Sequence, residues 1–291
     1  MQSLRRVGMD TAQLTDEELR YIDDRVIEAV RPQLVARRLF PVFTLPHAGF
    51  TTVRGYKETD MKQARISLHG QGKSKDRISL SSFDVTVPVI HSEFTLYWRN
   101  VLASRSGGLP LETRTVGSAA RQCGEEEDKL LLTGEYTGWK AMAIEGLATA
   151  TGRNTTVGGD WSANALTYVA NAIAELETDG HQGPYALITR PAWIGQLRAL
   201  ISNTSTFLLE KVAELCKAGV YGSDSLFESD GTTHNALVVE PGQENFELII
   251  GQDLATFLKQ DEEMNLQGKV FEVLAPRINR PTSICEITGL T

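Results

Sequence analysis

Residues 49–82 read GFTTVRGYKETDMKQARISLHGQGKSKDRISLSS, a polar segment rich in glycine, serine and lysine. Apolar and polar residues alternate within it at residues 64–68 and again at residues 77–80. This alternation predicts two narrow strands of a long hairpin with one face in solvent. Because a two-stranded hairpin with little apolar surface is marginally stable in water, we expect contacts from outside its own fold to hold it. The segment is a first indication of assembly.

The residues after the hairpin indicate a strand and then a long helix. Residues 85–90 and 94–98 are typical of a strand that continues past a bend at Pro88. Residues 112–133 have helical periodicity, with small residues that permit close packing. Gly134 suits the position that follows the end of such a helix.

The residues before the hairpin predict an amphipathic N-terminal helix. Thr15 and Glu18 have the spacing of a capping box, and Pro32 is expected to kink or end the helix. The apolar positions recur on one face, at Leu19, Ile22, Val26 and Val30. A stripe of this kind must dock on an apolar surface. The sequence leaves two partners open: the core of the same chain, or a neighbouring subunit or cargo groove.

The C-terminal half mixes helices and strands. Helices are predicted at residues 162–177, with Ser162 as the cap, from Pro191 onward and at residues 207–217, and a strand is predicted at residues 184–189. Two hairpins are predicted near the C terminus, one of residues 236–240 with 246–250 and one of residues 268–274 with 283–287. Because no βαβ repeat is visible, the expected class is α+β.

Composition argues against several classes of protein. The 291 residues carry a net charge of −8, whereas a protein that coats nucleic acid needs clustered Lys and Arg. Cys123, Cys216 and Cys285 are odd in number and far apart, which argues against a disulfide framework and indicates reduced cysteines that serve packing. Because no signal peptide and no apolar run of about 18 residues is recognised, we expect a cytoplasmic protein with no membrane partner.

No catalytic residue, metal site or cofactor is predicted. The acidic run from Glu125 to Asp128 lacks the Glu-x-x-His pair or second acidic helix of a carboxylate metal site, so it is interpreted as a solvated helix face. Residues 72–74, Gly-Lys-Ser, resemble the end of a phosphate-binding loop, but Ser67 occupies the position of the required first glycine. The five histidines occur singly, as packing or surface residues do. A site assembled in three dimensions from distant residues stays open.

The order of these elements resembles that of the encapsulins, which are bacterial and archaeal shell proteins with the capsid fold of tailed phages. The stretches that carry the resemblance keep the order of the family and extend over nearly the whole chain. They are Leu14-Thr15, Ile22-Asp23, Arg37-Arg38, residues 88–94, Asp179-Gly180, residues 183–187, residues 237–239 and residues 248–254.

The resemblance implies the tailed-phage capsid fold, in which an α+β chain is divided into an arm, an extended hairpin loop, a peripheral domain and an axial domain. The implied division is residues 1–48 for the N-terminal helix and arm, 49–82 for the extended hairpin loop, 83–137 and 252–291 for the peripheral domain, and 138–251 for the axial domain. The implied function is a self-assembling icosahedral shell that encloses a cargo protein in a nanocompartment. Such a protein is not an enzyme, and its main binding partners are other copies of the same chain in a large homo-oligomeric shell.

The resemblance also implies site residues. In encapsulins a groove beside the N-terminal helix takes a short C-terminal tag of the cargo protein, and the matching residues here are Leu14, Leu19, Ile22 and Asp23. The polar segment 222–233 is the candidate pore loop of the axial domain. Its acidic residues, which would favour cations, are Asp224, Glu228 and Asp230.

A second hypothesis is a major capsid protein of a tailed virus or prophage, located in the virion and enclosing a genome behind a portal. The length of the hairpin and residues 89–91 and 98–107 are similar to those of phage coat proteins. Some viral shells cross-link a lysine of this hairpin to an asparagine of a neighbour. The candidate lysines are Lys57, Lys62, Lys73 and Lys75. A third hypothesis is an α+β protein of another kind.

Overall fold

The computed structural model describes most of the chain. The described residues are 16–30, 34–58, 66, 68, 80–107, 114–134, 142–200, 206–226 and 236–291. Within them the helices are α1 (Asp16–Val30), α2 (Trp98–Gly107), α3 (Arg114–Thr133), α4 (Trp161–Thr178), α5 (Pro191–Leu197) and α6 (Leu208–Leu215). Short 3-10 turns occupy Ala36–Arg38 and Pro281–Ser283.

The strands of the described part form a four-stranded sheet, a five-stranded sheet and a two-stranded hairpin. They are β1 (Val42–Thr44), β2 (Thr52–Glu58), β3 (Leu80–Thr86), β4 (Val89–Leu96), β5 (Asn154–Val157), β6 (Ala186–Thr189), β7 (Gly219–Gly222), β8 (Ala236–Val239), β9 (Phe246–Gln260), β10 (Leu266–Ile278) and β11 (Ile284–Thr288). The first sheet has the order β1-β9-β10-β4, the second has the order β5-β11-β8-β6-β7, and β2 pairs with β3. This mixture of helices and strands confirms the α+β class.

The larger core lies between the four-stranded sheet and two helices. Helix α3 packs on β4 and β10, and α1 packs on α3. Buried side chains such as Val30, Ala120, Leu130 and Val270 form one apolar cluster across these layers. The stripe of small and apolar residues predicted for residues 112–133 is therefore the face that α3 turns to the core.

The second core lies between the five-stranded sheet and α4. Trp161 and Val169 of α4 belong to one buried cluster with Leu187 of β6 and Ile287 of β11. All four residues of β6 are buried, as expected for a short apolar strand in the interior of a sheet. The strand predicted at residues 184–189 and the helix predicted from Pro191 are confirmed.

Both predicted C-terminal hairpins are wrong. Strand β8 pairs with β6 and β11 in the five-stranded sheet, whereas β9 pairs with β10 and β1 in the other sheet. Every residue of β8 is buried, and the segments that pair with its two edges, β6 and β11, are distant in the sequence. The Pro241-Gly242 turn carries the chain from one sheet to the other and does not fold it back on itself.

The polar segment contains a hairpin, but its described strands are not the two that were predicted. Strands β2 and β3 are antiparallel, from the pair Thr52–Thr86 to the pair Glu58–Leu80. Ile66 and Leu68, which were predicted to belong to a strand, are fully exposed and lie in neither β2 nor β3. Residues 77–79 lie outside the described part of the chain.

The ends of the helices follow the local signals with two exceptions. Gly134 follows α3 with a φ of 71°, as predicted for a residue after a helix. The cap of α4 is Asp160 and not Ser162, because the Asp160 carboxylate accepts hydrogen bonds from the backbone N–H groups of Ser162 and Ala163. Helix α2 was not predicted, since Trp98 was assigned to the preceding strand.

The division into arm, hairpin, peripheral domain and axial domain stays a prediction. The N-terminal arm contributes β1 to the four-stranded sheet, where it runs parallel to β9. Strand β11 lies between β5 and β8 in the five-stranded sheet. The two ends of the chain thus enter different sheets.

Candidate functional site

Helix α1 is fixed to the core of its own chain by the stripe that the sequence predicts. Ile22, Val26 and Val30 are each at most 3% exposed and belong to the same apolar cluster as Val116 of α3. Of the two docking partners that the sequence leaves open, the core of the same chain takes the stripe. The charged face of α1 is thereby presented outward in a fixed orientation.

Arg37, in the 3-10 turn between α1 and β1, joins three elements. Its Nε donates to Glu127 of α3 at 2.6 Å, and its Nη1 donates to Asp253 of β9 at 2.8 Å. Its Nη2 lies 3.5 Å from Glu272 of β10. Burial disfavours the charge on Arg37, but Coulomb attraction to Glu127 and the hydrogen bond to Asp253 prevail and raise its pKa. The guanidinium fork suits such a shared contact, because its donors are fixed in one plane.

Asp128 binds the backbone of the same arm. Its Oδ1 accepts the N–H groups of Val35 at 3.0 Å and Ala36 at 2.6 Å, and its Oδ2 accepts the hydroxyl of Ser223. Burial raises the pKa of Asp128 in spite of these donors. The carboxylate thus links the N-terminal arm to the residue that follows β7.

The interpretation of Glu125 to Asp128 as a solvated face is wrong for half of the run. Glu125 is exposed, whereas Glu127 is 0% and Asp128 2% exposed. The partners that make this burial tolerable, Arg37 and the backbone of the arm, lie some 90 residues away in the chain. A run of acids gives no local sign of such partners. A buried charge without them would cost several kcal/mol.

The candidate cargo-groove residues do not share one exposed surface in the described part of the chain. Ile22 is completely buried in the main core, and Asp23 is exposed. Leu19 lies in α1, and its side chain is not described, while Leu14 lies outside the described residues, as does Thr15 of the predicted capping box. Of the two candidates whose side chains the structure describes, Asp23 is the one that a ligand can reach.

The candidate hairpin lysines fall largely outside the described residues. Lys57 lies in β2 with its ammonium group 5.2 Å from the centre of the Phe83 ring, whereas Lys62, Lys73 and Lys75 are not described. Beside it, Arg54 donates to Asp84 at 3.0 Å across the hairpin. Tyr56 of β2 is 56% exposed. The root of the hairpin thus carries Arg54 and Tyr56 on one face and Lys57 with Phe83 on the other.

One of the candidate pore-loop acids is described. Asp224 is exposed and follows directly on Ser223, whose hydroxyl is bound by Asp128. Glu228 and Asp230 lie outside the described residues. The start of the loop is thus anchored to α3.

Sequence reasoning missed a buried polar cluster around His181 and Glu240. The Nδ1 atom of His181 lies 2.5 Å from Glu240, whose other oxygen accepts the N–H of Gly183 at 2.7 Å. Asn245 also donates to Glu240. Partial burial acts the other way, but the hydrogen bonds from His181 and Asn245 lower the pKa of Glu240. Every donor is internal to the chain, so the cluster holds the turn before β6 in place.

The cysteines are buried and free. Burial raises the pKa of Cys123 and Cys216 to about 12 and that of Cys285 to about 11, so these thiols are not activated. Among the described residues, no group of three or more His, Cys, Asp or Glu side chains is arranged to hold a metal ion. In the same part of the chain, no helix has the length and apolar composition to cross a membrane.

Large apolar side chains remain exposed on several elements of the single chain. They include Val42, Phe43, Phe50, Tyr56, Val89, Tyr97, Val157, Leu200, Phe207, Phe257 and Met264. Scattered exposed apolar residues are ordinary, but Val89 and Phe257 lie on the face of the four-stranded sheet opposite α3. Surfaces of this type are where subunits make contact.

Comparison with known proteins matches nearly the whole chain to one family of shell proteins. A family model described as an encapsulating protein for peroxidase matches residues 1–275. The chain is 30% identical to the type 1 encapsulin shell protein EncA of Myxococcus xanthus over 278 residues, which are 95% of this chain and 94% of that protein.

Solved structures share the fold. The virus-like particle of Pyrococcus furiosus matches with a TM-score of 0.68 and 17% identity, over 94% of this chain and 98% of that one. The capsid of the Myoviridae phage XM1 matches with a TM-score of 0.65 and 13% identity, over 87% of this chain and 90% of that one. The tailed-phage capsid fold predicted from the sequence is confirmed.

Proposed function

The chain belongs to the encapsulin family of shell proteins, and from that premise we propose that its shell loads a cargo protein through a short C-terminal tag on the cargo. The chain is a self-assembling icosahedral shell protein, and the family is one of structural proteins and not of enzymes. The observation that carries the proposal is the match of the encapsulating-protein model to residues 1–275, because it includes α1 and the arm.

The encapsulin function is favoured over a viral capsid. The relative at 30% identity is an encapsulin shell protein, whereas the phage capsid shares only the fold at 13% identity. The hypothesis of an unrelated α+β protein is excluded by the same family match. The contents of the shell are therefore expected to be protein and not a genome.

We infer that the tag contacts the outward face of α1 near Asp23. Packing of Ile22, Val26 and Val30 holds the helix in one orientation, so a ligand meets a preformed surface. Asp23 is exposed and would pair with a basic residue of the tag or accept its N–H groups. Leu14 and Leu19 are proposed as the apolar part of the same groove.

The loading proposal is tested with particles isolated from the source organism. Proteins that stay with the particles through gradient sedimentation are identified by mass spectrometry, and their last residues are fused to a fluorescent protein. We expect the fusion to co-sediment with recombinant particles and the unfused fluorescent protein to remain outside. Particles that contain nucleic acid and no second protein would contradict the proposal.

A matched pair of variants tests the role of α1. Asp23→Ala should reduce loading of the tagged protein by about tenfold, if a charge-assisted contact of about 1.4 kcal/mol is lost. Asp24→Ala removes an exposed acid from the adjacent position and should leave loading unchanged. Equal loading in the wild type and both variants would show that Asp23 does not bind the tag.

We further propose that the hairpin of residues 49–82 lies over a neighbouring subunit and that residues 222–233 line a pore. The exposed Tyr56 and Arg54 at the root of the hairpin support the first proposal, since aromatic residues and arginine are enriched in subunit interfaces. Anchoring of Ser223 by Asp128 supports the second, because it fixes the start of a loop that begins with the exposed Asp224.

A cytoplasmic location is proposed from three free thiols, which suit a reducing compartment.

A further inference from the structure

The outer edge of β9 lacks a partner strand over most of its length. Strand β1 pairs with β9 at residues 248–250 alone, although β9 continues to Gln260. In the described part of the chain, no strand pairs with residues 252–260 on the side away from β10. Alternate residues of an antiparallel strand direct their N–H and C=O groups to each side. This edge therefore offers a row of backbone donors and acceptors about 30 Å long.

The middle of this free edge is open and apolar. Proteins block exposed edges with prolines and charged side chains, but residues 252–260 contain no proline and carry charges only near their ends, at Asp253 and Lys259. Between them, Phe257 is 58% exposed, and Leu254 and Leu258 are only partly buried. An unblocked edge with apolar side chains beside it is the surface to which a further strand adds.

A segment that fits this edge lies in the hairpin beyond β2. Residues 64–68 read Ala-Arg-Ile-Ser-Leu, the alternation of a strand with one apolar face. Ile66 and Leu68, which form that face, are fully exposed in the single chain, so they do not lie on the β9 edge of their own chain. A strand of five residues is about 17 Å long and fits within the free edge of another copy.

Charge favours the same pairing. Residues 59–79 contain five basic and two acidic residues and thus carry a net charge of +3, whereas the whole chain carries −8. Acidic groups stand at both ends of the free edge. Asp253 is exposed at its start, and Glu262 and Glu263 are exposed in the turn that follows its end. Opposite charges of this kind steer two surfaces together and fix their register.

We propose that residues 64–68 of one copy add as a strand to the free edge of β9 in a neighbouring copy, with Ile66 and Leu68 beside Phe257. The backbone hydrogen bonds of the added strand hold the two copies together, and the apolar side chains determine which face of the segment turns to Phe257. The contact rests on the proposed function, in which the hairpin lies over a neighbouring subunit, and it adds the surface that receives the hairpin.

Cross-linking of the assembled particles tests the contact. Ile66→Cys is combined with Ala255→Cys or with Lys259→Cys, which flank Phe257 on the same face of β9. The native cysteines are buried, so a short bismaleimide should join only the introduced pair. We expect dimers and longer multimers of linked chains in denaturing electrophoresis. The control combines Ile66→Cys with Thr155→Cys, an exposed position on the edge strand β5 of the other sheet, and should stay monomeric.

The outcomes separate this contact from the proposed function. Particles that sediment normally but give only monomers would overturn the contact, as would links confined to one chain or an equal yield of links to β5. Sedimentation and loading of a tagged protein are measured on the same particles, so the shell and its cargo would stand in that case. Failure of the wild type to form particles would contradict the shell and the contact together.

A charge reversal keeps the proposal testable if the cysteine variants do not assemble. Glu262→Lys places a positive charge at the acidic end of the edge, so the ratio of particles to free subunits in gradient sedimentation at low salt should fall by about fivefold. Glu244→Lys makes the same change of charge before the start of β9, where the side chain is 85% exposed, and should assemble like the wild type. Equal assembly of all three proteins would overturn the proposal.

Discussion

At the scale of a single residue, Gly268 shows how closely β4 and β10 are packed. A Cβ atom at this position would lie 2.1 Å from Cζ of Phe94, the residue opposite on β4. We expect Gly268→Ala to lower the free energy of unfolding by about 1–3 kcal/mol, because the ring of Phe94 must leave its site in the main core. Guanidinium unfolding followed by tryptophan fluorescence measures the change at a fixed protein concentration.

Gly195 provides the control for this substitution. It lies within α5, and a Cβ atom there would meet nothing within 4 Å. Gly195→Ala should therefore be neutral or stabilise the protein by up to about 1 kcal/mol, since alanine reduces the entropy of the unfolded chain. If both variants lost the same stability, the close packing of Gly268 on Phe94 would not be the cause.

The buried charges show what could be read from single residues and what could not. Glu127 and Asp128 stand in an acidic run whose local pattern indicates a surface. Their burial depends on Arg37 and on the backbone of the arm, which reach them only after the chain has folded. The same holds for His181 and Glu240, which lie beside the paired ends of β6 and β8 although they are 59 residues apart in the chain. Sequence reasoning singled out the acidic run but not its partners, and it missed the pair of His181 and Glu240.

At the scale of the element, α1 offers two isoleucines in contrasting positions. Ile22 is completely buried against α3, whereas Ile27 is 48% exposed. Ile22→Ala should cost about 2–5 kcal/mol, because it removes packed side-chain volume and leaves a cavity. Ile27→Ala should change the stability by less than about 0.5 kcal/mol. The midpoints of guanidinium unfolding compare the two, and a reversed order would mean that α1 docks through its other face.

The hairpin is an element whose role can be separated from folding of the subunit. Glu58 and Leu80 are paired at the end of the described ladder, so a two-residue Asn-Gly turn can replace residues 59–79. We expect this chain to keep its helices and strands by circular dichroism but to fail to form particles in size-exclusion chromatography. Particles of normal size and stability would show that assembly does not need the extended hairpin.

Element prediction succeeded where the signal is local and failed where it is not. The stripe from Ile22 to Val30, the glycine after α3 and the proline at the start of α5 each act within one or two turns of chain. The partners of β8 are β6 and β11, which lie far from it in the sequence on either side. The Pro241-Gly242 turn suggested a hairpin, but β6 and β11 occupy both edges of β8, so β9 cannot pair with it.

At the scale of the whole molecule, the folded single chain leaves apolar surface exposed to solvent. The hairpin root, β1 and the outward face of the four-stranded sheet expose large apolar side chains such as Tyr56, Phe43 and Phe257. Repeated head-to-tail contacts between such different surfaces close into rings and shells, unlike the single patch of a two-fold dimer. The resemblance of short sequence stretches to the encapsulin family therefore predicted the function better than the search for a single site did. The reason is that the function is a property of the assembled shell.

Negative-stain electron microscopy of the chain expressed alone, supported by light scattering, tests the central claim most directly. We predict closed particles of uniform diameter that form without scaffold, portal or cargo proteins. A stable, folded monomer or dimer at the same concentration would contradict the claim that this chain builds a shell.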